Sequence, residues 1–256
     1  MRAASVLARH QLTILRRDPW FLIIMLGMPL AAMPLLQRTM KLSLAAGGFD
    51  QANGAEQVVP GQTVMFSFFV AGSVAFSLFR EHGWKTWDRL RASAVSPASM
   101  LVGFGLPWVG FHVVYQLTLF GAGAAFLGLR LNGGSPIAAI MVMAAYATTL
   151  IALVLAAATS FRTIQQVNAL TNVGAIVFGG IGGALVPLDQ LPSWAQTIAP
   201  VTPAYWAMQG HQSVFLEGGG VSSVLTPVAV LLAGAAALGL IARQRFRVDE
   251  TKEFFA

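Results

Sequence analysis

Two sets of polar side chains lie within, or at the start of, long apolar stretches of this sequence, where hydrogen-bond partners are scarce. His112 and Gln116 are separated by one helical turn. Gln165, Asn168 and Asn172 have the spacing of residues that share one helix face. Polar groups at such positions are candidates for function, so both sets are candidates for a transport path or a dimer interface. Simpler roles stay open: a neutral His112 bonded to Gln116 or a backbone carbonyl, and amides that join helices of one chain.

No residue pattern typical of catalysis or metal binding occurs in the sequence. Cysteine is absent, which excludes disulfides, thiolate metal sites and a cysteine nucleophile. Asp189 and Glu217 stand alone, and no histidine cluster has metal-ligand spacing. The Gly-x-x-x-x-Gly-Lys-Ser/Thr phosphate loop is also missing. We therefore expect no catalysis, no metal and no cofactor bound by this chain itself.

The segment 80–97 combines tryptophans with charges of both signs. Trp84, Trp87, Leu90 and Arg91 have the spacing of one helix face, which predicts an amphipathic helix that lies flat or docks onto a partner. Docking requires an apolar anchor for affinity and charges for orientation. The predicted docking residues are Glu81, Gly83, Trp84, Trp87, Asp88 and Arg89. In the alternative interpretation, the tryptophans only sit at the depth of lipid headgroups.

Six apolar stretches are each about long enough to cross a bilayer. They are residues 20–36, 59–79, 100–129, 136–161, 167–186 and 224–242. Hydrophobic residues make up 56% of the chain and charged residues 10%, against roughly 25% charged residues in soluble domains. The first stretch is long for a signal-peptide core, so we expect it to stay in the mature protein. The sequence thus predicts one membrane domain over residues 1–256.

The positive charges alternate along the loops between these stretches. With both termini in the cytoplasm, only Arg38, Lys41 and Arg130 lie outside, and every other lysine and arginine lies inside. The net charge of +6 follows the membrane sides and forms no single basic face, which disfavours a nucleic-acid partner. This asymmetry predicts a multi-pass inner-membrane protein with cytoplasmic termini.

Two further segments complete the predicted architecture. Residues 2–17 carry apolar residues at helical spacing among four arginines, which predicts an amphipathic helix in the membrane interface. Residues 187–206 are apolar but interrupted by prolines, which predicts a broken helical segment at the outer leaflet. The predicted fold class is an all-α membrane protein of six transmembrane helices, with this interface helix and a broken segment between the fifth and sixth spans.

Four groups of short motifs follow one another along the chain. They are Leu15-Arg16-Arg17-Asp18-Pro19; Val59-Pro60-Gly61; Arg80-Glu81-His82-Gly83 with Leu90 and Ala94-Val95-Ser96-Pro97; and Gly179-Gly180, Pro187-Leu188, Leu191-Pro192-x-Trp194 and Pro203-x-Tyr205. In this order they resemble the type 2 (ABC-2) permease family of ABC transporters, and the resemblance covers essentially the whole chain. Two departures affect the docking loop: Trp84 and Lys85 displace Thr86 from the usual Gly-Thr pair, and Asp88 replaces a Glu.

The resemblance implies a permease without its own nucleotide site, paired with a separate ATPase that binds ATP and Mg²⁺. Two ATPases and two permeases, identical or homologous, would form the exporter in the bacterial inner membrane. Segment 80–97 would then couple to the ATPase. An amphipathic or lipid-like cargo, such as a drug, an antibiotic or a lipid-linked glycan, suits an interior with few charges. The alternative is an ATP-independent secondary carrier or an intramembrane enzyme.

Overall fold

The computed structural model of the chain describes residues 13, 19–84, 86–92, 95–247 and 252, and in these residues the regular structure is helical. The predicted interface helix over residues 2–17 lies outside the described residues apart from Thr13. Nine α-helices are described: α1 Pro19–Ala46, α2 Ala55–Gly83, α3 Trp87–Ala92, α4 Pro97–Phe126, α5 Pro136–Ser160, α6 Ile164–Ile181, α7 Ser193–Ile198, α8 Pro203–Phe215 and α9 Leu225–Arg245.

Several helices begin where a hydroxyl side chain caps the first turn. Ser96 and Ser135 cap α4 and α5, and each is followed by a proline. Thr202 caps α8 in the same way. Thr163 forms a reciprocal capping box with Gln166 at the start of α6. These side chains satisfy backbone N–H groups that a helix otherwise leaves unpaired, so the local sequence fixes where the helices start.

Among the described residues, five helices are long and apolar enough to cross a membrane. They are Trp20–Ala46, Ala55–Gly83, Pro97–Phe126, Pro136–Ser160 and Val221–Arg245. The predicted fifth span is helix α6, which is not among them. Its 18 residues rise about 27 Å, slightly less than the roughly 30 Å of bilayer hydrocarbon, and polar residues occupy its first half. The predicted count of six spans is therefore not confirmed by length and composition.

Hydrogen bonds between loops define two ends of the bundle. At one end the side chain of Asn53, before α2, donates to the carbonyl of Gly128, after α4. Gln57 donates there to the carbonyl of Gly183, after α6. We call this the amide end; it comprises residues 47–57, 127–135, 182–202 and 216–224. At the other end the Lys252 amine donates to the carbonyls of Thr159 and Phe161.

The second end carries most of the described positive charge, and we call it the basic end. Its described cations are Arg80, Arg89, Arg91, Arg162, Arg243, Arg245, Arg247 and Lys252. Helix α6 starts at this end, directly after α5, and finishes at the amide end. It therefore connects the two ends of the bundle, although it is shorter than α2 and α5.

The core is centred on α2, which packs against α1, α4, α5, α6 and α8. A Cβ atom on Gly61 would lie 2.1 Å from the carbonyl oxygen of Ala184, so only glycine permits this approach. Tyr146 of α5 is fully buried and donates to the carbonyl of Val64. Helix α9 packs mainly on α5. The predicted broken segment is present as three short helical pieces, Leu188–Gln190, Ser193–Ile198 and Ala199–Val201, before α8.

Candidate functional site

At the basic end, α2 and α3 form a short elbow rather than one docking helix. Helix α2 continues to Gly83, and the Trp84 N–H donates to the Arg80 carbonyl at its end. The Thr86 hydroxyl then donates to the Glu81 carboxylate, and the Thr86 N–H donates to the Glu81 carbonyl at 3.1 Å. These bonds tie the start of α3 back to the last turn of α2.

The two tryptophans of the elbow lie in opposite environments. Trp87 is only 4% exposed, stacks on His82 at 4.1 Å between ring centroids, and meets the edge of Phe246 at 5.9 Å. Trp84 is 62% exposed, with the Arg80 guanidinium 5.2 Å above its ring. Trp87 thus packs inside the elbow, and Trp84 lies on its surface.

The predicted amphipathic helix with Trp84 and Trp87 on one face is wrong. The prediction assumed a continuous helix, but α2 ends at Gly83 and α3 begins at Trp87. The two side chains therefore do not share one helix face, and one is buried while the other is exposed. Glu81 is also buried, since its carboxylate accepts the Thr86 hydroxyl. Of the predicted docking residues, Trp84, Asp88 and Arg89 are exposed.

The charges on α3 are weakly engaged within the chain. Asp88 and Arg91 lie 3.8 Å apart, and both side chains are exposed. Such a surface pair contributes little to stability. The elbow therefore presents one exposed aromatic ring beside charges of both signs, which is the composition of a protein-binding surface.

Deep inside the bundle, His112 and Gln116 face α2. Both are completely buried. Helices α2 and α4 are antiparallel, since Val59 touches Gly123 and Ser67 lies beside His112. This register places Gln116 opposite Thr63, one turn along each helix. We call the four residues Thr63, Ser67, His112 and Gln116 the polar ladder.

The polar ladder is incompletely hydrogen-bonded. The Gln116 amide donates to the Met143 carbonyl at 3.0 Å. Its carbonyl oxygen and the hydroxyls of Thr63 and Ser67 have no partner among the described residues. The His112 ring lies beside the Ser67 backbone without a hydrogen bond of good geometry to any described residue. Thus Gln116 does not satisfy His112. Buried polar atoms of this kind are typically paired by ordered water or by a second conformation.

The polar ladder lies inside one chain, whereas the amides of α6 lie on its surface. Gln165, Asn168 and Asn172 are exposed, next to the exposed apolar side chains Val173 and Ile176. Whether these amides join helices of one chain or face a second chain stays open. The predicted path and interface residues therefore form two separate groups, one buried inside the bundle and one exposed on α6.

Sequence reasoning missed several residues of these sites. Thr86 orders the elbow, and His82 and Phe246 hold Trp87. The hydroxyls Thr63 and Ser67, one turn apart on α2, carry the same helical spacing as His112 and Gln116, and that spacing was the available signal. Trp87 and Phe246 are far apart in the sequence, so no pattern of neighbouring residues could have predicted their contact.

Comparison with known proteins identifies relatives along most of the chain. The family model described as ABC-2 type transporter matches residues 2–216. The chain is also 28% identical over 199 residues to the linearmycin resistance permease protein LnrN of Bacillus subtilis (strain 168). That match covers 73% of this chain and 49% of the relative. The chain thus spans about half the length of the curated relative that it matches.

Proposed function

Because this chain belongs to the ABC-2 type transporter family, we propose that it is the membrane permease subunit of an ATP-driven exporter. The family match over residues 2–216 is the observation that carries this proposal. A separate ATPase, present in two copies, supplies the energy and binds ATP and Mg²⁺. A second permease, identical or homologous, completes the transporter.

We propose an amphipathic or lipid-like cargo, in the class of drugs and antibiotics. Among the described residues, the buried charged side chains are Glu56, Arg80 and Glu81, and all lie near the ends of the bundle. An interior without charge at mid-depth favours a hydrophobic molecule over an ion. The relative named for linearmycin resistance supports the same class of cargo.

The proposed location is the inner membrane, with six crossings and both termini in the cytoplasm. The concentration of arginines at the basic end supports a cytoplasmic position for that end. Helix α6 supports the sixth crossing because it runs from the basic end to the amide end. Single cysteines introduced at Arg247 and at Gly133 provide a test, since the sequence contains no cysteine of its own. A membrane-impermeant thiol reagent applied from outside should label position 133 and leave position 247 unlabelled.

We propose that the elbow couples the permease to its ATPase through Trp84, Asp88 and Arg89. The support is their exposure at the basic end, where a cytoplasmic partner would dock. Glu81, Gly83 and Trp87 act in this proposal from within, by setting the angle between α2 and α3. Movement of the ATPases would then tilt α2, on which most of the core packs.

Helix α6 supplies the proposed contact with the second permease or with the cargo. Its exposed amides Gln165, Asn168 and Asn172 continue into apolar Val173 and Ile176. A polar half followed by an apolar half suits an amphipathic molecule or a self-complementary helix pair. His112 and Gln116 are enclosed in this arrangement, so a role in the path requires the bundle to open.

Reconstitution with a candidate ABC ATPase, sought in the reading frames beside this one, tests the proposed function. Proteoliposomes containing both chains should move linearmycin, the compound in the relative's name, or another amphipathic antibiotic, only when ATP is supplied. A catalytically inactive ATPase is the control. Transport by the permease alone under an ion gradient would instead identify an ATP-independent secondary carrier and overturn the proposal.

Two matched tryptophans test the coupling surface. Trp84 is 62% exposed at the basic end and Trp194 is 61% exposed at the amide end. We expect Trp84→Ala to weaken ATPase binding about tenfold or more, as for an aromatic anchor at an interface centre, while membrane insertion is unchanged. Trp194→Ala should bind the ATPase normally. Equal binding by both variants would place the coupling surface elsewhere.

A further inference from the structure

An apolar groove of about 330 Å³ lies between α4, α5 and α9. Its walls include Leu101 and Val109 of α4, Ile151 and Leu155 of α5, and Gly239 of α9. Thr148 and Arg243 are the polar side chains among its lining residues. The Thr148 hydroxyl donates to Ala144 on its own helix, so it offers no free donor. The groove is therefore apolar along its length, with a guanidinium at one end.

The length and position of the groove match one leaflet of a bilayer. On α4 it extends from Ala98 in the first turn to Val109, a rise of about 16 Å. This is about half of the roughly 30 Å hydrocarbon thickness. Ala98 and Arg243 both lie at the basic end, where a headgroup would be located.

The charge at the groove end is uncompensated in the described chain. The ion pair found among the described residues joins Arg91 to Asp88, so Arg243 has no acidic partner there. Arg245 and Arg247 follow it on the same side. Arginines at a membrane surface attract anionic lipid headgroups, and an unfilled groove in hydrocarbon would lose dispersion contacts along its walls.

We propose that this groove binds an anionic phospholipid, with one acyl chain between α4, α5 and α9 and the headgroup phosphate on Arg243. The chain packs where Gly239 leaves space, since a Cβ atom at that position would meet no atom within 4 Å. The guanidinium donates to the phosphate oxygens, an arrangement that suits its planar geometry. This site rests on the membrane location of the helices and does not require the transport activity proposed above.

Two variants with matched controls test the two halves of the site. Gly239→Leu fills the groove, and Gly110→Leu adds the same side chain to α4 at an equally open position outside the groove lining. Arg243→Gln removes the groove charge, and Arg245→Gln removes a neighbouring charge that does not line the groove. Both test substitutions leave the packed core intact, because Gly239 and Arg243 are exposed.

Native mass spectrometry of the purified full chain, titrated with phosphatidylglycerol or phosphatidylcholine, gives the readout. We expect the chain to retain phosphatidylglycerol more strongly than phosphatidylcholine. Gly239→Leu should lower retention of both lipids about tenfold, because several methylene groups lose their contacts. Arg243→Gln should reduce the preference for phosphatidylglycerol about fivefold. Both control variants should behave as the parent chain.

Other outcomes overturn the proposal. Equal retention of the two lipids by the parent chain would contradict an anionic site. Loss of preference in Arg243→Gln with normal retention in Gly239→Leu would place the acyl chain outside the groove. Rapid disulfide formation between two copies of a Leu106→Cys variant in membranes would show that a second chain, and not a lipid, covers this face.

Discussion

At the amide end, neutral side chains hold the loops by hydrogen bonds to backbone carbonyls; at the basic end, aromatic rings and a lysine hold the helices. Asn53 and Gln57 donate to loops that follow α4 and α6. Trp87 instead stacks on His82 and touches Phe246. The charged residues of the basic end remain largely on its surface.

Apart from the Lys252 bonds to two carbonyls, this difference gives the elbow and the amide end different mechanical properties. Hydrogen bonds to fixed carbonyls lose strength when their distance or angle changes, so the amide end resists movement of one helix past another. Stacked rings keep contact over a wider range of positions, because dispersion and hydrophobic contacts have no strict direction. We infer that α2 moves about its amide end when a partner pushes on the elbow.

Trp87→Ala is the variant expected to have the largest effect on stability. The ring is almost fully buried, so we expect the free energy of unfolding to fall by about 3–5 kcal/mol, as for other buried aromatic residues. Chemical denaturation of the purified chain in mixed micelles measures the change.

Trp84→Ala provides the control for that substitution, because it removes the same side chain from an exposed position three residues away. Its cost should be no more than about 1 kcal/mol, the value of an exposed cation–π contact with Arg80. A Trp87→Ala cost no larger than that of Trp84→Ala would show that aromatic packing does not hold the basic end.

The helices of this chain were largely predictable because their signals are local. Apolar runs predicted the long helices, and Ser135-Pro136 shows how a cap and a following proline set a boundary. The predicted fifth span, residues 167–186, ends five residues early at Ile181, where Gly182 and Gly183 follow, the latter with a positive φ. Prolines likewise predicted the interruption of residues 187–206.

The elbow could not be predicted in the same way, because its geometry depends on distant contacts. Residues 84 and 87 have the spacing of one helix face, but the side chain of Thr86 bonds back to Glu81 and ends that helix. Burial of Trp87 further requires Phe246, beyond α9. Helical spacing identifies a face only where the helix is continuous.

The environments of the two polar sets could not be predicted either, because they also depend on distant contacts. His112 and Asn168 are both polar residues in predicted spans, yet one is completely buried and the other is exposed. Their environments depend on how each helix is rotated in the bundle. That rotation is set by packing contacts, such as Val59 against Gly123, which no single segment encodes.

Asn53→Ala is the corresponding test at the amide end. The Asn53 amide donates to the carbonyls of Leu127 and Gly128, and its oxygen accepts the Ala55 N–H. Loss of the bond to the Ala55 N–H and of the bonds to the loop after α4 should lower the free energy of unfolding by about 2 kcal/mol. Asn172→Ala, at an exposed position, should change it by less than about 0.5 kcal/mol. Equal effects in the two variants would refute the structural role of the amide network.

The smallest expected effect concerns the Asp88–Arg91 pair on α3. If the charges of the basic end serve a partner and not the fold, then Asp88→Asn, Arg91→Gln and the double variant should give a coupling energy below about 0.5 kcal/mol. The reason is that both side chains are exposed and 3.8 Å apart, so water and salt screen their attraction. Denaturation of the four proteins at low and high ionic strength measures the coupling, which should shrink as salt rises. A salt-independent coupling above about 1.5 kcal/mol would mean that this pair stabilises the elbow itself. The charged surface and the aromatic packing of the basic end would then no longer have separate roles.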